Sequence, residues 1–273
     1  MSVVGAAGVV GVSPEPGPIE ARFLANRQAG RKSLVIYLTG GLPGWQDQVR
    51  AAAQAGADLI EIGIPFSDPV MDGPVIQESS QRALAHGATP VSVLDEASRL
   101  DAGCLLAVMT YANLVYRFGY ERFARTAKDS GIDGVILPDI PIEESAPWCA
   151  AADSAGIETI MLAAPTASDE RLARVAERAR GFVYGVGLLG ITGERDALSA
   201  SALEIARRLR GVTDKPVLVG VGISTPAQAA ETSKISDGVI VGSAVVRRAI
   251  EVGTAESVGE LVGEFRSVLD AEC

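Results

Sequence analysis

Eight apolar runs of strand length recur along the chain, at Leu34–Thr39, Leu59–Ile64, Cys104–Thr110, Gly134–Leu137, Glu158–Leu162, Phe182–Val186, Pro216–Val221 and Gly238–Val241. Segments with helical spacing separate them, at Asp47–Ala55, Ile76–Ala85, Tyr120–Ser130, Ser145–Ala155, Asp169–Arg178, Ala200–Leu209 and Pro226–Thr232. Such alternation predicts parallel βαβ units. The runs are continuously apolar, as strands covered on both faces are, and eight of them fit a closed (β/α)8 barrel better than an open sheet. Extra helical segments stand at Ile19–Gln28, expected to cap the barrel bottom, at Val91–Leu100, and at the C-terminus in Ala244–Glu251 and Glu256–Leu269.

A short phrase marks where helices hand over to strands: AlaGlyAlaAsp at 55–58, SerGlyIleAsp at 130–133 and AlaGlyIleGlu at 155–158. Glycine closes helices because it tolerates a left-handed backbone, so the phrase counts βα units. The 273 residues suit one domain. The expected organisation is a flexible arm over residues 1–18 and a single barrel domain over 19–273. The arm reads as such because Val3–Val12 has no basic residue before it and runs into SerProGluProGlyPro, unlike a signal peptide.

The net charge of −10 argues against a nucleic-acid surface, and it requires any substrate phosphate to be held locally by backbone amides. No apolar run reaches the ~18 residues of a membrane span. The three cysteines, Cys104, Cys149 and Cys273, are scattered and odd in number, which fits a reducing cytoplasm.

Chemistry concentrates after the second run, in LeuIleGluIleGlyIleProPheSerAspProValMetAspGly at 59–73. Glu61 lies within the apolar strand, where an unpartnered carboxylate is costly, and no Lys or Arg occurs between Arg50 and Arg82. A functional carboxylate is the better reading. Asp72, eleven residues on, is free to fold back over the barrel mouth, and two carboxylates in different environments can divide acid and base work. Asp68 reads equally as a turn residue on a proline-rich loop, which leaves it a positioning or partner-contact role.

Two glycine pairs at strand ends, GlyValGlyIleSer at 220–224 and ValGlySerAla at 241–244, are expected to open helices and hold phosphate, since loops after barrel strands seven and eight often do. A third glycine-rich stretch, 185–193, reads as a lid. Tyr37, Met109, Tyr111 and Tyr184 at neighbouring strand ends would supply a flat apolar wall. The single histidine, His86, precedes Gly87 at an apparent helix end and reads as a dipole partner. Clustered metal ligands, GxSxG and the P-loop motif are missing, and the four lysines fall away from the strand ends. Carboxylate acid/base chemistry on a phosphorylated, partly aromatic substrate remains, with neither metal nor organic cofactor.

From about Phe23 to Leu269 the sequence resembles the tryptophan synthase alpha subunit family. The marks are GluIleGlyIleProPheSerAspProValMetAspGlyProValIleGln at 61–77, MetThrTyrAlaAsnLeuValTyrArgPheGly at 109–119, LeuProAspIleProIleGluGluSer at 137–145, GlyIleThrGly at 190–193 and ValGlySerAlaValVal at 241–246. The resemblance implies a lyase of tryptophan biosynthesis that splits indole-3-glycerol phosphate into indole and glyceraldehyde 3-phosphate. It also implies a beta-subunit partner in an alpha-beta-beta-alpha heterotetramer. By position, it makes Glu61 the proton-shuttling glutamate, Asp72 the acceptor of the indole N–H, and Thr192 the lid threonine. It assigns Tyr184, Gly193, Gly220, Gly222, Gly242 and Ser243 to the phosphate pocket, Tyr111 to the indole wall and Asp68 to partner contact. Tyr37 stands where many relatives have Phe, Leu42 where many have Asp, and Gly187 and Leu188 replace a Ser and a polar residue ahead of the lid. The last two changes motivate an alternative, a freestanding lyase that releases indole without a beta subunit. Two further readings are an epimerase or isomerase acting on a sugar phosphate and a noncatalytic regulatory subunit.

Overall fold

A computed structural model of the chain describes residues 15–187, 195–220 and 222–271, the side chains of 195–200 excepted. Eight parallel strands close into one barrel: β1 (Ser33–Thr39), β2 (Leu59–Gly63), β3 (Leu105–Met109), β4 (Gly134–Ile136), β5 (Glu158–Ala163), β6 (Val183–Gly185), β7 (Val217–Val219) and β8 (Gly238–Val241). The ring is sealed by β8 against β1, with Ser33 opposite Gly238 and Ile36 opposite Val241. The expected strands are all present, each shifted by no more than two residues at either end.

The helices are α1 (Pro18–Gln28), α2 (Trp45–Gln54), α3 (Pro74–Ala85), α4 (Pro90–Ala97), α5 (Ala112–Phe118), α6 (Tyr120–Asp129), α7 (Ala146–Ala155), α8 (Asp169–Arg178), α9 (Arg195–Arg210), α10 (Pro226–Ser233), α11 (Ser243–Glu251) and α12 (Ala255–Ala271). The sequence reading missed α5, whose seven residues are apolar enough to pass for an extension of β3. The barrel interior holds Val35, Leu59, Ala107, Ile136, Ile160, Tyr184, Leu218 and Ile240, and the same cluster includes Ile19 and Phe23 of α1. Phe23 is fully buried, with its ring 5.5 Å from that of Phe182, and burial of such a side chain stabilises by about 2–3 kcal/mol. Helix α1 therefore plugs the bottom as expected. The arm expected over residues 1–18 falls mostly on residues outside the described set, and Pro18 itself opens α1.

The glycines of the repeated phrase do adopt the left-handed backbone, with φ of 105° at Gly56, 78° at Gly131 and 70° at Gly156. The acids at the starts of β2, β4, β5 and β8 each have their own task. Asp58 Oδ2 accepts the Leu34 amide at 2.9 Å, Asp133 Oδ2 accepts the Leu106 amide at 3.2 Å, and Asp237 Oδ2 accepts the Val217 amide at 2.8 Å. Each carboxylate thus satisfies an amide at the start of a neighbouring strand, where the ladder cannot reach it. Glu158 turns instead to the plug, accepting the Ile19 and Glu20 amides at 2.7 and 3.2 Å and so capping α1 from 139 residues away. Arginines complete the ring: Arg31 and Arg266 face Asp58 at 2.5 and 3.6 Å, and Arg27 and Arg210 face Asp237 at 2.7 and 3.0 Å.

Burial alone would raise the Asp237 pKa, but the hydrogen bonds from Arg27 and Val217 and the charges of Arg27 and Arg210 outweigh it and hold the group below its ordinary value of 3.8. A depressed carboxylate contributes stability above its unfolded pKa and loses it as pH falls through the folded one. Asp237→Asn should therefore cost about 2–4 kcal/mol in urea unfolding at pH 7, with the gap from wild type narrowing once the pH drops below about 4.

Candidate active site

All eight strands deliver their carboxyl ends to one rim, and the carboxylates singled out in the sequence meet there. Glu61 is the third residue of β2, paired across the ladders with Tyr37 on β1 and Ala107 on β3, and its side chain points into the barrel. It is 1% exposed, and among the described residues its Oε2 has no hydrogen-bond partner. An orphaned buried oxygen costs about 1–3 kcal/mol, so it marks a group kept free for something that is not part of the fold. Burial, and then the charge of Asp72, push the Glu61 pKa from 4.5 to about 8.

Asp72 closes the loop between β2 and α3. Burial raises its pKa from 3.8 to about 6, while hydrogen bonding with Tyr111 opposes the rise. Two carboxyls at one mouth are thereby driven apart, the deeper one holding its proton through neutrality while the shallower one is ionised. The hydroxyls of Tyr37 and Tyr184 sense both charges, and burial and those charges raise both tyrosines well above their ordinary range.

Tyr37, Tyr111 and Tyr184 are buried around this mouth, and Met109 joins the interior cluster to one containing Tyr37, Val75 and Ile76. Of the four residues expected to form an apolar wall, these clusters bring Tyr37, Met109 and Tyr184 together. Thr39 Oγ1 lies 2.6 Å from Ser79 Oγ, which ties β1 to the helix that follows Asp72. A cavity of about 670 Å³ opens beside the β2–α3 loop, between Met71, Leu137, Asp139, Ile142, Leu162 and Val186. Glu61 does not line it. Asp72 does not line it either, and the cavity adjoins the acid pair through the loop residue Met71. Leu162 and Val186 were missed in the sequence, although Leu162 pairs with Tyr184 across the ladder and shares its inward-facing register.

The phosphate-side residues divide. Gly242 is the N-cap of α11 and Ser243 its first residue, and no side chain caps this helix, so its first-turn amides are left for an external acceptor. Gly220 follows β7 beside Tyr184, whose hydroxyl donates to the Gly220 carbonyl at 3.5 Å. Gly222 is exposed, with φ of 82°. The expectation that 220–224 opens a helix is not met. Helix α10 begins at Pro226, and Thr225 and Gln228 already form its capping box. Thr192, Gly193 and Leu188 lie outside the described residues, so the lid is not described; Gly187 is buried. Asp68 stays apart from the cluster, exposed on the loop, with the Ser67 hydroxyl donating to it at 2.5 Å. Leu42 is partly buried against the outer core. His86 caps the C-terminus of α3. Among the described residues no cluster of His, Cys, Asp or Glu could hold a metal, and no helix is long and apolar enough to cross a membrane.

The family described as "Tryptophan synthase alpha chain" matches residues 23–265. The chain belongs to that family. It is 43% identical over 258 residues to the tryptophan synthase alpha chain of Thermobifida fusca, covering 92% of this chain and 96% of the relative. It is 45% identical over 240 residues to that of Methanosarcina mazei, covering 86% and 88%. Among solved structures, tryptophan synthase of Mycobacterium tuberculosis superposes with a TM-score of 0.86 at 36% identity, covering 93% of this chain and 99% of that one. The alpha chain from Legionella pneumophila does so at 0.83 and 31%, covering 94% and 98%.

A raised carboxyl stabilises the fold below its unfolded pKa, and that contribution is lost as pH rises through the folded pKa. Glu61→Gln, which mimics the protonated acid, should match wild type in chemical denaturation near pH 4.5. By pH 9 it should be the more stable protein by roughly 3–5 kcal/mol.

Proposed function

We propose that Glu61 and Asp72 carry out the family's lyase reaction in this chain, the cleavage of indole-3-glycerol phosphate to indole and glyceraldehyde 3-phosphate within tryptophan biosynthesis. The observation that carries this assignment is the buried, unpartnered Glu61 oxygen beside a second carboxyl of lower pKa. At neutral pH Glu61 is a proton donor and Asp72 an anion. Glu61 protonates C3 of the indole ring, and Asp72 accepts the ring N–H and stabilises the positive charge that develops there. The carboxylate left on Glu61 then takes the proton of the adjacent side-chain hydroxyl. The carbon–carbon bond breaks, its electron pair returns to the ring, and an aldehyde forms. One proton enters and one leaves through the same residue, so the enzyme ends as it began.

Tyr37, Met109 and Tyr111 form the indole side. The uncapped start of α11 at Gly242 and Ser243, with Gly193, Gly220, Gly222 and Tyr184, forms the phosphate side. Thr192 belongs to the lid, and Asp68 faces a partner. Backbone donors are what an anion needs on a chain with a net charge of −10. The partner is a tryptophan synthase beta subunit, which we place in an alpha-beta-beta-alpha assembly in the cytoplasm. The relatives named above are alpha chains of tryptophan synthase, and nothing in them favours a freestanding lyase. A sugar-phosphate epimerase or isomerase leaves the acid pair and aromatic wall without a role.

Indole release from indole-3-glycerol phosphate by the purified chain tests the assignment. Glu61→Gln should lower the rate by at least ~10²- to 10⁴-fold, and wild-type turnover in that variant would remove Glu61 from the mechanism. In the wild type the rate should follow a bell, with an acid limb near pH 6 as Asp72 gains its proton and a basic limb near pH 8 as Glu61 loses its own. A rate that is flat across that range would refute the division of roles.

A further inference from the structure

The β2–α3 loop must hold Asp72 over the barrel mouth, yet its tip faces water: Val70 is 77% exposed and Met71 41%. Its attachment comes from the next strand. Tyr111 follows β3 and is only 3% exposed. Its hydroxyl accepts the Met71 amide at 3.1 Å, and its interaction with the carboxyl of Asp72, the neighbouring residue, holds that carboxyl's pKa down. Its ring packs on Phe66, at the start of the same loop, with centroids 5.0 Å apart and planes inclined by 31°. One side chain thus grips the loop near both ends.

Tyr111 is itself fixed. It is the N-cap residue of α5, but its own side chain does not cap that helix. The task is taken by Asp139, beyond β4, whose Oδ1 accepts the Ala112 amide at 2.8 Å. The tyrosine hydroxyl is therefore free to serve the loop.

We infer that Tyr111 is a positioning residue as well as a wall of the indole pocket: it latches the loop and orients the Asp72 carboxylate before substrate arrives. The inference rests on the reading of Asp72 as the charge-stabilising group. A phenol that donates to a carboxylate favours its charged form, the one the reaction uses. The other groups that act on this corner are Glu61 from β2, Tyr37 from β1, Tyr184 from β6 and Asp139 from beyond β4; all are acids or phenols. Among the described residues none of these supplies a positive charge, so Tyr111 is the favourable partner that Asp72 has here.

The test is Tyr111→Phe in the full-length, ligand-free protein, because Phe keeps the packing on Phe66 and removes only the hydroxyl. Exchange of the Met71 amide should accelerate about 3- to 10-fold, the loss expected for one net hydrogen bond. The Asp72 carboxyl, followed by carbon NMR, should titrate at a higher pH than in wild type. With indole-3-glycerol phosphate, kcat should fall about tenfold while KM changes little, since the ring still lines the pocket, and the acid limb should move to higher pH with Asp72. The latch is overturned if either the Met71 exchange rate or the Asp72 titration stays at its wild-type value. If the wild-type chain releases no indole, the functional reading fails instead, and the two ligand-free measurements still decide the latch.

Discussion

The rest of the structure depends on closure of the parallel ring by β8 against β1. Parallel strands end together, so closure brings every carboxyl end to one rim and every amino end to the other. Each rim carries backbone groups that the ladders leave over, and the chain treats the two differently. At the amino rim the surplus amides are met from within, by Asp58, Asp133 and Asp237, while Glu158 does the same for the plugging helix. At the carboxyl rim, the first-turn amides of α11 and one oxygen of Glu61 are left open.

The same contrast explains why Asp237 and Glu61 titrate in opposite directions. Asp237 and Glu61 are both buried, and burial pushes each upward. Arg27 and Arg210 reverse the shift at Asp237. At Glu61 the nearest charge is another carboxyl, which adds to it. An acid that keeps its proton at pH 7 thus follows from low dielectric and the absence of a basic neighbour, a combination already visible in the sequence between Arg50 and Arg82.

Much of the fold was legible because its signals are local. Strand runs such as Leu59–Gly63 are apolar on both faces, and glycines such as Gly131 mark helix ends by backbone conformation alone. Glu61 stood out for a similar reason, as a charge in a run that should hold none. What was not legible depends on pairing between distant segments. Glu158 ends a repeated phrase and looks like a solvated acid until α1 is placed over it. Asp139 lies beyond β4, and its contact is an amide of α5, a helix with no clear signal in the sequence. Leu162 and Val186 look like ordinary core residues, and only the barrel register turns them towards the mouth. The delayed start of α10 is a smaller case: Thr225 and Gln228 form a capping box that stops the helix from reaching back to Gly222.

Two rim glycines have a reason beyond backbone freedom. A methyl group on Gly63 would lie 1.9 Å from the Tyr37 hydroxyl oxygen, and one on Gly220 would lie 2.3 Å from that of Tyr184. Each hydroxyl occupies the space where its partner's side chain would stand, so tyrosine at 37 and glycine at 63 form one unit, as do 184 and 220. Two tyrosines therefore fit at the crowded level of Glu61 without lifting out of the barrel. Had Tyr37 been excluded from that space, its ring would have had to rise into the mouth, where the aromatic part of the substrate is proposed to lie. The hydroxyl at position 37 is accommodated by Gly63, in the space that a side chain there would take.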